Sequence, residues 1–236
     1  MIFNRKKEEM PNLYNEKVVG KEGVFYKENS EIGVINVEIK LERVKNGGVF
    51  EWDDMIACNR SIGRHFITDD VKSVINIGSG VGTFEFNNAP EHTDVQFTAS
   101  EMDEKSTEWV KQNRAMPNVE YCTSSMDELK GRKFDLAVTV DVLEHVKEYK
   151  QFLEEFSKLS DYAVISTPNR DRSITELSKP TYEYHVQEFN AGELYFILKM
   201  FYKDVQLYSF PDPYKEDLVK VGLYSSYYKL VAVCRN

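Results

Sequence analysis

One stretch constrains this 236-residue chain more than any other: Val74-Ile75-Asn76-Ile77-Gly78-Ser79-Gly80-Val81-Gly82. An apolar run breaks into a glycine-rich turn, the beginning of a strand–turn–helix unit that holds nucleotide-like cofactors. Small residues let the backbone approach a ligand closely. A carboxylate about twenty residues further on accepts hydrogen bonds from ribose hydroxyls. Glu101 stands 19 residues after Gly82. A dinucleotide fingerprint, G-x-G-x-x-G, would place its third glycine at position 83. That position is Thr83, and the third glycine is Gly82. The spacing therefore argues against a dinucleotide. It leaves a different nucleotide-like cofactor, or a glycine turn with no ligand.

The periodicity around this turn predicts a doubly wound α/β fold. Strands are expected at Ser73–Ile77, Val95–Ser100, Val119–Cys122, Phe134–Val140 and Tyr162–Ser166. Helices are expected over Asp103–Arg114 and Glu148–Leu159, and a short one after Gly82, limited by Pro90. Strands alternating with helices imply a parallel sheet covered on both faces. Before it, Glu51–Phe66 reads as a helix with Trp52, Met55, Ile56, Ile62 and Phe66 at core-facing spacing. Asp53 and Asp54 fall in its first turn, where the dipole favours acids. After Tyr162–Ser166 comes a less regular stretch, 168–190. Asn190-Ala191-Gly192-Glu193 then reads as a capping box opening a helix with Leu194, Phe196, Ile197, Met200 and Phe201. Val205–Tyr208 and Tyr227–Val233 are expected to close the sheet. Residues 1–50, with a possible strand at Val34–Ile39, read as an N-terminal arm or cap, and residues 51–236 as the main domain.

Composition narrows the classes. Lys plus Arg number 30 and Asp plus Glu 39, a net charge of −9. A phosphate-backbone binder carries a basic patch, so this balance disfavours nucleic acid as a partner. No apolar stretch approaches the roughly 20 residues of a membrane span. The first residues lack the apolar region of a signal peptide. Cys58, Cys122 and Cys234 are odd in number and widely spaced. They suit neither a disulfide framework nor a zinc motif, and a reducing cytoplasm is expected. Oligomeric state is not legible.

Four pieces occur in order: Asn76-Ile77-Gly78-Ser79-Gly80-Val81-Gly82; Glu101; Ser124-Ser125-Met126-Asp127-Glu128-Leu129 with Phe134-Asp135-Leu136-Ala137-Val138; and Asp141-Val142-Leu143-Glu144-His145-Val146. Together they resemble the class I S-adenosylmethionine-dependent methyltransferases over roughly residues 70–236. The resemblance implies a Rossmann-like, seven-stranded, mostly parallel sheet whose last strand is antiparallel. It implies S-adenosyl-L-methionine as cofactor, S-adenosyl-L-homocysteine as product and a small-molecule or sugar acceptor. By position, Gly78, Ser79, Gly80 and Gly82 would pass beneath the methionine and ribose of the cofactor. Glu101 would take the ribose hydroxyls. Met102, Ser125 and Met126 would meet the adenine. Asp141 and Val142 would lie near the methionine end, Asp141 pairing with the ammonium. Asn76 departs from the family, which often has an acid there.

Methyl transfer to a protonated acceptor needs a base. His145, after Glu144, and His185, in Tyr184-His185-Val186-Gln187-Glu188-Phe189, are the candidates, because histidine titrates near neutrality. The His-x-x-Glu-Phe segment resembles sugar and small-molecule methyltransferases, in which this insertion covers the site. His65 and His92 are expected at the surface or in packing. Of Tyr182, Tyr184, Tyr214, Tyr224, Tyr227 and Tyr228, most are expected to pack under a loop. The chain is thus read as an O-methylating enzyme of small molecules or glycan precursors. Two alternatives stand beside it. Asp141, Glu144, His145 and His185 resemble the metal-binding set of the methyltransferases of the 3′-terminal ribose of small RNAs. That family has Glu in place of Asp141, and no metal is assigned here. The other is a non-catalytic relative that kept the fold.

Overall fold

The computed structural model describes residues 53–172 and 185–236. The expected arm at 1–50, Trp52, and residues 173–184 of the expected insertion, with Tyr182 and Tyr184, lie outside the described residues. The elements run α1 (Asp53–Phe66), β1 (Ser73–Ile77), α2 (Thr83–Asn88), β2 (Gln96–Ser100), α3 (Glu104–Asn113), β3 (Val119–Cys122), β4 (Leu136–Val140), α4 (Tyr149–Ser157), β5 (Tyr162–Pro168), α5 (Ala191–Leu198), β6 (Asp204–Ser209), β7 (Val219–Lys220) and β8 (Lys229–Arg235). Two single 3₁₀ turns, Leu143–His145 and Arg170–Arg172, follow β4 and β5.

The sheet order is β3-β2-β1-β4-β5-β8-β6-β7. Strands β1 to β5 pair in parallel. β8 slots between β5 and β6 and is antiparallel to both. The expected seven strands with an antiparallel last one are present. An eighth, the two-residue β7, pairs with the edge of β6. It was missed because two residues in a long loop carry no period.

The strands alternate between two covered faces, as a period of two dictates. Ile75, Ile77, Ala137, Ala163, Ile165 and Ala232 pack in one core with Phe152, Leu153 and Phe156 of α4 and Leu194 and Leu198 of α5. Val74, Leu136, Val138, Val164, Val231 and Val233 pack in the other with Cys58, Ile62 and Phe66 of α1 and Phe84 of α2. A one-residue slip of any central strand would exchange the two sets, so the register is strongly specified. In such sheets ligands bind beyond the carboxyl ends of the parallel strands, where the order reverses about β1 and β4. The glycine turn and the β4 exit both open there.

Two helices differ from expectation. α4 starts at Tyr149 without a side-chain cap. α5 ends at Leu198, so Met200 lies past it and is exposed. The expected capping box is present: Asn190 Oδ1 accepts from Glu193 N at 2.9 Å, and Glu193 Oε2 accepts from Asn190 N at 3.1 Å.

Candidate active site

The glycine turn is held open by its backbone. Gly78, Gly80 and Gly82 have φ of 74°, 54° and 70°, the left-handed region that side chains rarely adopt. A Cβ on Gly78 would lie 2.5 Å from Cγ2 of Val142, whereas one on Gly80 would meet no described residue within 4 Å. So Val142, at the β4 exit, packs directly on the turn, and the space beside Gly80 is open among the described residues. Gly78 N and Ser79 N both donate to Ser100 O at the end of β2, at 2.8 and 3.1 Å.

Glu101, the next residue, grips the turn from the other side. Its Oε2 accepts from Gly80 N at 2.7 Å, and its Oε1 from Met102 N at 2.8 Å and Asp103 N at 3.1 Å. Burial pushes its carboxyl above the usual carboxylate range, against these three bonds. The acid expected to meet ribose therefore also shapes the turn. Asn76, on β1 and 2% exposed, has no hydrogen-bond partner for Oδ1 among the described residues. A buried polar atom left in this way is uncommon and calls for an occupant.

The expected adenine end is compact. Met102 and Ser125 are half-buried, while Met126 is buried in the core with Ile77 and Leu129. Ser125 N and Oγ donate to Glu128 Oε2 at 2.7 and 3.1 Å. Asp103 caps α3 through Ser106 N at 2.7 Å.

At the β4 exit the structure assembles a polar cluster. Asp141 sits at φ 54°, the one non-glycine residue at positive φ among those described. Its N donates to Ser166 O at 3.0 Å, and Ser166 Oγ donates to its Oδ1 at 3.3 Å. Oδ2 accepts from Lys229 Nζ at 2.5 Å. The Asp141 carboxylate, expected to face the cofactor's ammonium, is thus paired within the protein. The sequence had placed a carboxylate at the β4 exit, but its lysine comes from a strand 88 positions away.

Glu144, on the 3₁₀ turn, is buried; its Oε2 accepts from Thr167 Oγ1 at 3.0 Å, and its Oε1 has no hydrogen-bond partner among the described residues. Burial, then the charge of Asp141, pushes its carboxyl up to about 8. The main chain of Glu144 pins the segment carrying His185: its carbonyl accepts from Val186 N at 3.0 Å and Gln187 N at 3.3 Å. Gln187 Nε2 adds a bond to Val146 O at 2.7 Å.

His185 is anchored by a buried carboxylate. Its Nδ1 lies 2.6 Å from Glu188 Oε1, a buried carboxylate that also accepts from Arg172 Nη2 at 3.0 Å. That bond places the proton on Nδ1 and leaves Nε2 as the lone-pair nitrogen. Nε2 lies 3.9 Å from Glu144 Oε1. Burial lowers the His185 pKa from its ordinary 6.5, opposed by Glu188. The ring of His145 meets that of His185 edge-on, with centroids 4.9 Å apart. Ligand-capable atoms of Glu144, His145 and His185 all lie within 4.8 Å of one another.

The structure brings His145 and His185 together and places Glu188, Arg172 and Lys229 beside them. Glu188 had a signal, the His-x-x-Glu spacing. Arg172 and Lys229 had none, since a basic residue on a turn or at a strand end ordinarily reads as a solvated charge. The tyrosines correct the expectation of packing: Tyr224 is 97% exposed, and Tyr214, Tyr227 and Tyr228 are exposed as well. The Arg172 guanidinium lies 5.5 Å from the ring centroid of Tyr228. His65 is exposed and His92 half-buried, away from the cluster. No helix among the described residues is long and apolar enough to cross a membrane.

A family model described as a methyltransferase domain matches residues 57–201. No curated protein matches the chain by sequence. Among solved structures, the methyltransferase domain of a bacterial Hen1 protein, CtHen1-C, is similar at TM-score 0.60 and 15% identity, covering 77% of this chain and 98% of that one. The plantazolicin methyltransferase BpumL, in complex with S-adenosylhomocysteine (SAH), is similar at TM-score 0.59 and 12% identity, covering 91% and 100%. The N-terminal domain of EvdMO1, crystallised in the presence of SAH and D-fucose, is similar at TM-score 0.55 and 14% identity, covering 80% and 84%. With the ordered motifs, the sheet order and this match over more than half its length, the chain belongs to the methyltransferase-domain family, as a class I S-adenosylmethionine-dependent enzyme.

Proposed function

We propose that this methyltransferase acts on a hydroxyl oxygen of a small molecule or sugar, with His185 as the base. The observation that carries the reading is the Arg172–Glu188–His185 relay at the β4 exit. Glu188 fixes the tautomer and the ring, so the unprotonated Nε2 faces the cluster. A buried imidazole with a lowered pKa is neutral, and hence able to accept a proton, at physiological pH.

The residues present fit the cofactor. Among the described residues the space beside Gly80 is open and Asn76 Oδ1 is unmatched, which suits an ammonium donor. When bound, S-adenosylmethionine supplies an electrophilic methyl group on a sulfonium. Gly78, Ser79, Gly80 and Gly82 would line its path, with Glu101 on the ribose side. Met102, Ser125 and Met126 would border the adenine, and Val142 the methionine end. Asp141 acts there through its pair with Lys229. The protein's task is alignment of the acceptor oxygen in line with the methyl. With the cofactor bound, His185 Nε2 would take the proton of the acceptor hydroxyl as the methyl carbon passes from the sulfonium sulfur to that oxygen, with Nδ1–H kept on Glu188. The proton then leaves to water. His145, edge-on to His185, restricts the ring. A sugar acceptor draws support from the EvdMO1 neighbour, crystallised with D-fucose.

The rival reading, metal-assisted methylation of a terminal RNA ribose, rests on the gathered Glu144, His145 and His185. The donor set does not fit it fully, because Asp141 is already neutralised by Lys229. The net charge of −9 also opposes RNA.

Calorimetric titration with S-adenosylmethionine and SAH tests the cofactor reading. No binding of either at millimolar concentration would sink it. A panel of hydroxylated sugars and small acceptors, assayed with His185→Ala, tests the base. Turnover should fall roughly a hundredfold or more with cofactor affinity kept; unchanged turnover refutes the role.

A further inference from the structure

We propose that Lys229 is the resident cation of this site, a positioning residue whose ammonium withdraws Asp141 from the Glu144–His145–His185 group and so excludes a divalent ion. The inference rests on the reading of this cluster as the methyl-transfer site and deepens it.

Three observations carry it. Lys229 opens β8, its side chain 4% exposed, with Nζ 2.5 Å from Asp141 Oδ2. A lysine so deeply buried is rare unless it is paired. Asp141 is held in that pose from two further directions: by its left-handed backbone, and by Ser166, which accepts from its N and donates to its Oδ1. Its carboxylate is missing from the group of three whose ligand atoms lie within 4.8 Å. Two imidazoles and one carboxyl group, that of Glu144, remain, and burial favours the protonated form of that carboxyl. A divalent ion placed there would face the Lys229 ammonium across a buried, poorly screened space. The protein already supplies the positive charge that the acidic β4 exit needs, and the proton goes to His185.

This makes the lysine a determinant of metal independence. Its removal should convert the cluster into a two-carboxylate, two-imidazole set suited to Mn²⁺. The test is electron paramagnetic resonance of free Mn²⁺, titrated with the full chain in the presence of SAH. The wild type should leave the free-ion signal as in buffer, and turnover should be the same with EDTA. Lys229→Met should bind Mn²⁺ at least about tenfold more tightly. Asp141→Asn combined with Lys229→Met should lose that gain, since the recruited carboxylate is gone. Equal Mn²⁺ binding by wild type and Lys229→Met, or a double variant that binds as tightly as Lys229→Met, overturns the proposal. Should Lys229→Met not fold, Lys229→Arg keeps the charge, and Mn²⁺ bound by it or by the wild type overturns the proposal equally. SAH calorimetry on the wild type keeps the two claims apart: lost cofactor binding would sink the methyl-transfer reading, while the Mn²⁺ result judges Lys229.

Discussion

Gly78 and Val142 meet across the glycine turn, and each limits what the other can be. Gly78→Ala places a Cβ in the left-handed region, at a cost of roughly 1–2 kcal/mol, and 2.5 Å from a Val142 methyl. Urea unfolding should show the loss. Adding Val142→Ala should recover the steric part and leave the backbone part, and an equal loss in both backgrounds would refute the contact. Glu144 and His185 titrate in opposite senses. Glu144 has a folded pKa raised to about 8 from 4.5. Its native form therefore holds a proton that the unfolded chain releases. Stability from this group is complete below about pH 4.5 and is lost as pH rises through about 8. Glu144→Gln should gain stability over the wild type as pH climbs from 5 to 9, on the order of 1 kcal/mol or more; a pH-independent difference in melting temperature would contradict it. His185 has a lowered pKa, so the acid limb of turnover should lie below pH 6.5. Glu188→Gln keeps an acceptor for Nδ1–H but removes the negative charge that raises this pKa. The limb should then move to still lower pH while turnover falls; a limb that stays in place would dissociate Glu188 from the base. His185 and its Glu188 spacing were legible in the sequence, as were the glycines and Glu101. Lys229 was not, because a pair spanning 88 positions leaves no local pattern.

Elements were legible in proportion to their period. β1, β3 and α1 to α5 follow from alternation or helical spacing, and the α5 cap from Asn190 and Glu193 alone. What escaped was short or irregular: β7 has two residues, and each 3₁₀ turn has three. These turns matter all the same, since Leu143–His145 aims two site residues and Arg170–Arg172 supplies the Glu188 partner. The α5 cap is tied into the same region, because Arg170 Nη2 donates to Glu193 Oε1 at 2.9 Å. Asn190→Ala should cost about 1 kcal/mol. Glu193→Ala removes both the cap bond and the Arg170 pair, so it should cost at least as much, and circular dichroism melts would rank the two. A milder loss from Glu193→Ala would show that the arginine contact adds nothing.

The described residues form one sheet covered on both faces, and its fold class was the most legible property because four strand–helix alternations must produce it. Acceptor specificity was the least legible, since it depends on segments such as 168–190 with no regular period. The cysteines offer a global probe. Cys58 and Cys234 are buried and Cys122 is half-buried. Burial also pushes the Cys234 thiol up. Thiol reagent should label Cys122 first in the native protein, and Cys58 and Cys234 only at the rate of global unfolding. Fast labelling of Cys234 would show that β8 opens on its own.

The insertion of β8 between β5 and β6 has a consequence for biosynthesis. Because β8 follows β6 in the chain, β5 and β6 are both made before the strand that pairs with each of them, and until it arrives each keeps an unpaired edge. Lys229 enters the chain only then, so Asp141 spends that interval without its counter-charge. The sheet therefore closes only when β8 pairs, and before that its open edges are templates for pairing with other chains.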